Sequence, residues 1–147
     1  MIAWRISNYA DLNGLGGLHA EGRWHFAGRP IVYLADHSAS AMLEMLVHCE
    51  LRTLPASFQL LRVEIPDDCL LDLDPGELEA GWQARPHLTR GIGDAWLEQA
   101  PSAVLRVPSA LTVDGRNLLL NPVHPDAARC RILDVLRAPL DPRLRPL

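Results

Sequence analysis

The chain has 147 residues, enough for one domain with a buried core, and its composition is that of an ordinary globular protein. A formal net charge of −4 argues against non-specific nucleic-acid binding as its main task. No apolar run approaches a membrane span, and Met1-Ile2-Ala3-Trp4-Arg5 lacks the layout of a signal peptide, so the cytoplasm is the expected compartment.

In chain order, Ile2 to Ile6 is expected as a first strand. The glycines of Asn13-Gly14-Leu15-Gly16-Gly17 penalise helix and sheet alike, so this stretch is expected to be irregular. The β-branched run Pro30 to Ala35 predicts a second strand. Ser38 to Leu51 is the clearest helix, apolar over much of its circumference, which predicts packing on more than one side. Asp36 or Ser38 is the expected cap and Leu54-Pro55 the stop. Strands are expected at Phe58 to Ile65 and Cys69 to Leu73. Short helices at Glu77 to Trp82 and Gly93 to Gln99 would flank a polar stretch. Ala103 to Val107, Ala110 to Val113, Asn117 to Leu120 and Arg131 to Leu136 complete the strands. A proline-rich tail is expected from about residue 138. Many short strands with one strong helix predict an α+β domain spanning 1–147 rather than alternating βαβ units.

Several side chains could carry chemistry, and each has a plainer reading beside it. Arg23, in Gly22-Arg23-Trp24 after the glycine-rich stretch, could clamp a diphosphate bidentately or be a surface arginine beside a core tryptophan. Tyr33 could stack on a planar ring or sit in the core with its hydroxyl satisfied. Glu44 lies among Ala41, Met42, Leu43, Met45, Leu46 and Val47, where an ionised carboxylate is costly unless paired or wet. A carboxylate at the edge of an apolar site is what an oxocarbenium-like centre requires; it could also hold a ribose hydroxyl. Ser109, after Pro108, and Asn121, in Asn121-Pro122-Val123-His124-Pro125, could both be turn residues. No GxSxG surrounds Ser109, and the histidines show no HExxH pairing, so neither a serine triad nor a metal site is expected. Cys49, Cys69 and Cys130 are far apart in sequence and read as buried reduced thiols.

Five ordered blocks change the weight of these residues: Gly22-Arg23-Trp24, Gly28-x-Pro30-Ile31-Val32-Tyr33, Ala41-x-Leu43-Glu44, Val107-Pro108-Ser109-Ala110, and Asn117-x-Leu119-Leu120-Asn121-Pro122-x-His124-Pro125. Together they resemble the RES domain family over nearly the whole chain, from Trp4-Arg5 to about Leu136. The arginine, glutamate and serine for which that family is named fall on Arg23, Glu44 and Ser109. His25 departs from the asparagine common there. The resemblance implies a compact mixed-sheet fold similar to ADP-ribosyltransferases of the diphtheria-toxin type. It also implies a bacterial toxin that cleaves the nicotinamide–ribose bond of NAD, by water or phosphate, without a metal. Its partner would be an Xre-like antitoxin in a hetero-oligomer. In that picture Arg23 holds the diphosphate or adjacent ribose, Tyr33 stacks on the nicotinamide end, Glu44 stabilises the developing cation, and Ser109 and Asn121 make supporting polar contacts. ADP-ribosylation of a specific protein, or a catalytically silent binding module, are the alternatives.

Overall fold

The computed structural model describes residues 1–145; the last two residues of the expected tail lie outside the described residues. Seven strands form one sheet: β1 (Ile2–Ile6), β2 (Val32–Ala35), β3 (Ser57–Glu64), β4 (Leu70–Asp72), β5 (Val104–Pro108), β6 (Arg116–Leu120) and β7 (Arg131–Pro139). Their order is β4-β5-β6-β2-β1-β3-β7, antiparallel throughout except for the β4–β5 pair. Two helices join them, α1 (Ser38–His48) and α2 (Pro86–Gln99), giving the expected α+β class. No helix among the described residues is long and apolar enough to cross a membrane.

Strand side chains alternate between faces, and that period of two divides the core. Val32, Leu34, Leu61, Val63, Leu118 and Leu120 belong to one buried cluster, which also takes in Cys69 and Cys130. Burial pushes the Cys130 thiol up to about 11, and raises that of Cys69 too, so these two cysteines behave as the small hydrophobes expected. On the opposite face Leu105, Val107 and Leu119 pack with Trp24, Trp82, Trp96 and Leu97. Phe58 also lies off the first face, and it packs with Leu54 and Leu140 beneath α1.

Several elements differ from expectation, each for a visible reason. The α1 helix stops at His48, where Cys49 turns to extended backbone and the chain drops Leu54 onto Phe58 and Leu140. Its cap is the His37 imidazole, which accepts from Ala39 N–H at 3.1 Å; Asp36 is occupied with the Arg116 N–H at 2.8 Å. The predicted two-sided packing is absent: Ala41 alone is fully buried, while Leu43 and Val47 are 42% and 56% exposed. In place of two short helices there is one 14-residue helix, with Thr89, Gly93, Trp96 and Leu97 forming its buried stripe. Glu77 and Trp82 fall in isolated 3-10 turns. Ala110 to Val113 is a turn rather than a strand, because the Ser109 hydroxyl accepts from the Leu111 and Thr112 N–H groups. The tail begins inside β7, which runs to Pro139, and Leu140 is buried beyond it.

Helix α2 lies so close to the Trp24 backbone that a β-carbon on Gly93 would fall inside the Trp24 carbonyl oxygen, whereas Gly91 faces open space. Gly93→Ala should therefore destabilise the protein by at least about 1–3 kcal/mol through overpacking. Gly91→Ala should stabilise it by about 0.5–1 kcal/mol through helix propensity. Urea unfolding of the two variants checks the pair.

Candidate active site

The same alternation that splits the core builds a cavity. Tyr33 and Ala35 point away from the first cluster, and in the sheet they pair with Leu119 and Asn117. Trp4 pairs with Ala35 and shares that face. Trp4, Tyr33, Ala35 and Asn117 floor a cavity of about 760 Å³, walled by the Gly16 to His25 loop, by α1 through Ala41, Glu44 and His48, and by Arg90 of α2. That volume falls in the range of small-molecule and cofactor sites.

The loop is fastened by a buried histidine. His25 is 2% exposed, and its Nδ1 lies 2.8 Å from the Tyr33 hydroxyl and 3.1 Å from Gly22 N–H. Its Nε2 lies 3.3 Å from the Gly17 carbonyl oxygen. One assignment satisfies every group: neutral imidazole with its proton on Nε2, donating to Gly17, while Nδ1 accepts from Gly22 and from Tyr33. The Tyr33 oxygen in turn accepts the Trp24 N–H at 3.0 Å. Burial holds the Tyr33 phenol well above its ordinary value, opposed by the Trp24 hydrogen bond and the nearby Arg90 and Arg23. The hydroxyl is thus committed to the scaffold, and Tyr33 offers the cavity its ring. Gly22 leaves no room for a side chain, since a β-carbon there would overlap that hydroxyl.

Helix α2 grips the same loop from outside. Thr89 Oγ1 donates to the Arg23 carbonyl, Arg90 Nε donates to the Gly22 carbonyl at 2.8 Å, and Asp94 accepts from Phe26 N–H at 3.1 Å. The Arg23 guanidinium reaches the cavity and donates through Nη1 to the Gln83 carbonyl at 2.6 Å. Arg90 lies 3.1 Å from the Glu21 carboxylate. On the β1 side Arg5 lines the cavity as well; burial lowers its pKa, opposed by Asp11. Glu44 of α1 lines the cavity with these arginines, its Oε1 accepting from Asn117 Nδ2 at 2.8 Å.

Of the five residues singled out in sequence, the cavity gathers Arg23, Tyr33 and Glu44 and leaves out two. Ser109 is buried at the end of β5, its hydroxyl spent on the turn. Asn121 is 1% exposed, and its Oδ1 accepts from Val123 N–H at 3.2 Å. Both side chains fix backbone near the site rather than face it. Among the described residues, no group of three or more His, Cys, Asp or Glu side chains is placed to hold a metal. Arg5, Arg90 and Asn117 line the cavity without having been singled out. The signal for Asn117 was its parity, since it shares a face with Leu119 in a strand otherwise filled with leucine.

The RES domain family matches residues 2–141. A relative from Pseudomonas putida, named Toxin Res, is 48% identical over 134 residues, covering 90% of this chain and 92% of that protein. A relative from Sphingobium sp., named Prs ADP-ribosylating toxin, is 37% identical over 152 residues, covering 96% and 94%. The fold is similar to a chain in the crystal structure of the M. tuberculosis MbcT–MbcA toxin–antitoxin complex, with a TM-score of 0.73 at 20% identity over 97% of this chain and 85% of that one.

Two substitutions probe the buried hydrogen bonds. Tyr33→Phe keeps the ring but strips a partner from Trp24 N–H and from His25, and should cost about 1–3 kcal/mol. His25→Leu leaves the Tyr33 O–H without its acceptor, while the Gly22 N–H keeps the residue-25 carbonyl and the Gly17 carbonyl keeps the Gly28 N–H, so it too should cost about 1–3 kcal/mol. Denaturant unfolding measures both.

Proposed function

Because the chain belongs to the RES domain family, and so to a class of toxins acting on NAD, we propose that its cavity binds NAD and breaks the nicotinamide–ribose bond. The observation that carries this reading is the meeting of Arg23, Tyr33 and Glu44 in one cavity. Arg23 takes the diphosphate, since a guanidinium has five N–H donors and the Gln83 carbonyl engages Nη1. The Tyr33 ring stacks on the nicotinamide end. Glu44 faces the reacting ribose.

In the proposed reaction the C–N glycosidic bond breaks and its electron pair returns to the pyridinium nitrogen, releasing neutral nicotinamide. The ribose carbon becomes oxocarbenium-like, and the Glu44 carboxylate stabilises that charge. Water then adds to the carbon and loses a proton, leaving ADP-ribose; phosphate in its place leaves the 1-phosphate. The leaving group is already cationic, so positioning and electrostatics carry the step.

Transfer of ADP-ribose to a protein begins with the same bond cleavage, and the name of the Sphingobium relative favours it as the second reading. We further assign the chain an antitoxin partner, as the M. tuberculosis neighbour was solved in a toxin–antitoxin complex, and expect an Xre-like protein in that role. The α1 surface supports a covering partner, because Val47 lines the cavity while remaining 56% exposed.

Incubation of the purified protein with adenine-labelled NAD separates the readings. Free ADP-ribose or its phosphate indicates degradation, a labelled protein indicates transfer, and unchanged NAD sinks both. Glu44→Gln should lower turnover by about 10²–10³-fold, the size of one lost electrostatic contact to a transition state, with thermal unfolding unchanged. Arg23→Ala should act mainly on KM.

A further inference from the structure

We infer that Asn117 is a positioning residue for the Glu44 carboxylate, an inference that rests on Glu44 being the charge-stabilising group of the proposed reaction. The two residues lie 73 positions apart in sequence and meet through a single hydrogen bond, Asn117 Nδ2 to Glu44 Oε1 at 2.8 Å.

The two ends of that bond differ in rigidity. Glu44 stands on α1, where only Ala41 is fully buried, and its own side chain is half exposed with three rotatable bonds. Packing therefore does little to select its rotamer. Asn117 stands on β6, held on both sides, by β2 through Ala35 and by β5 through Val107. A donor on a central strand fixes one carboxylate oxygen and leaves Oε2 for the substrate.

The chemistry of the donor matters as much as its place. An arginine or lysine there would orient the carboxylate but neutralise the charge that faces the oxocarbenium. A side-chain amide orients it and leaves the full negative charge in the cavity. Stability does not account for an amide at this position. Asn117 is 9% exposed, and its Oδ1 is buried without a partner. A half-satisfied buried amide is worse for the fold than the leucines that follow it in β6.

The test uses Asn117→Leu, Asn117→Asp and Glu44→Gln in the full chain. Asn117→Leu should lower kcat for NAD cleavage about ten- to a hundred-fold, the worth of one hydrogen bond to a charged group, with KM nearly unchanged and the melting temperature equal or higher. In a Glu44→Gln background the same substitution should add nothing, because its effect runs through the carboxylate. Asn117→Asp places a second carboxylate against the first, and such a pair shares one proton. The singly protonated pair imitates the amide–carboxylate bond, so this variant should be active on the acid side and lose kcat as pH rises. Arg5, Glu21, Arg23, His25, Tyr33, His48, Cys49 and Arg90 line the same cavity in both proteins, so a limb seen only in the variant belongs to the new pair. Finally, the Asn117 side-chain amide signal in a ¹⁵N NMR spectrum should move on Glu44→Gln.

Wild-type kcat in Asn117→Leu, or a fall in kcat and melting temperature that is additive with Glu44→Gln, overturns the inference. An amide signal blind to Glu44→Gln overturns it whatever the activity. If the amide responds but wild-type protein leaves NAD intact, orientation of Glu44 stands and the NAD reading fails.

Discussion

The bond between the His25 ring and the Tyr33 hydroxyl, 2.8 Å long and shut away from water, is the contact on which the site depends. Tyr33 belongs to β2, the middle strand of seven. Whatever is fastened to its hydroxyl inherits the stiffness of the sheet. Through that oxygen and the Nδ1 beside it, the backbone of Gly22 and Trp24 is pinned at the two residues flanking Arg23. Helix α2 then seizes the outer edge of the same loop with Thr89, Arg90 and Asp94. The loop thereby joins sheet and helix, and the long arginine it carries starts from a fixed Cα. A buried polar network of this kind strengthens when every member is satisfied and costs dearly when one is not.

Around that anchor the charges come from several elements, and the loop's own Glu21 is paired with Arg90 at 3.1 Å. The guanidinium groups come from the loop, from β1 and from α2, while the carboxylate of Glu44 comes from α1. Such an arrangement suits a substrate that is anionic at one end and develops positive charge at the other. Direct pairing of Glu44 with an arginine would have spent both charges on each other. The neutral contact to Asn117 avoids that.

Much of this was legible in the sequence, and the exceptions share a cause. The strands at Ile2, Val32, Ser57, Val104 and Arg116 announced themselves through alternation and β-branching. Tyr33 and Glu44 stood out as polar groups among apolar neighbours, and the five ordered blocks gave them and Arg23 their weight. Only the second half of helix α2 was read, from Gly93 on, because Pro86 to Gly91 looked like a polar stretch; Gly93 itself is demanded by Trp24, a tertiary contact that no local window contains. Ser109 and Asn121 carried the motif but hold turns. The role of His25 could not be read locally either, since its partners Gly17 and Tyr33 lie eight positions away on either side. Sequence locates the unusual residue; only the fold reveals whether it faces the cavity or braces the wall.

The long reach of the pairings has a consequence in time. Tyr33 pairs with Leu119 and Ala35 with Asn117, so the floor of the cavity closes only when a strand near the end of the chain slots in beside one near its beginning. A ribosome makes the three residues at the front long before it makes β6. Until then the floor lacks Asn117 and Glu44 has nothing to lean on. The site is therefore armed late in synthesis, and a polypeptide interrupted between residues 90 and 116 carries Arg23, Tyr33, Glu44 and Arg90 but lacks the strand that completes the floor.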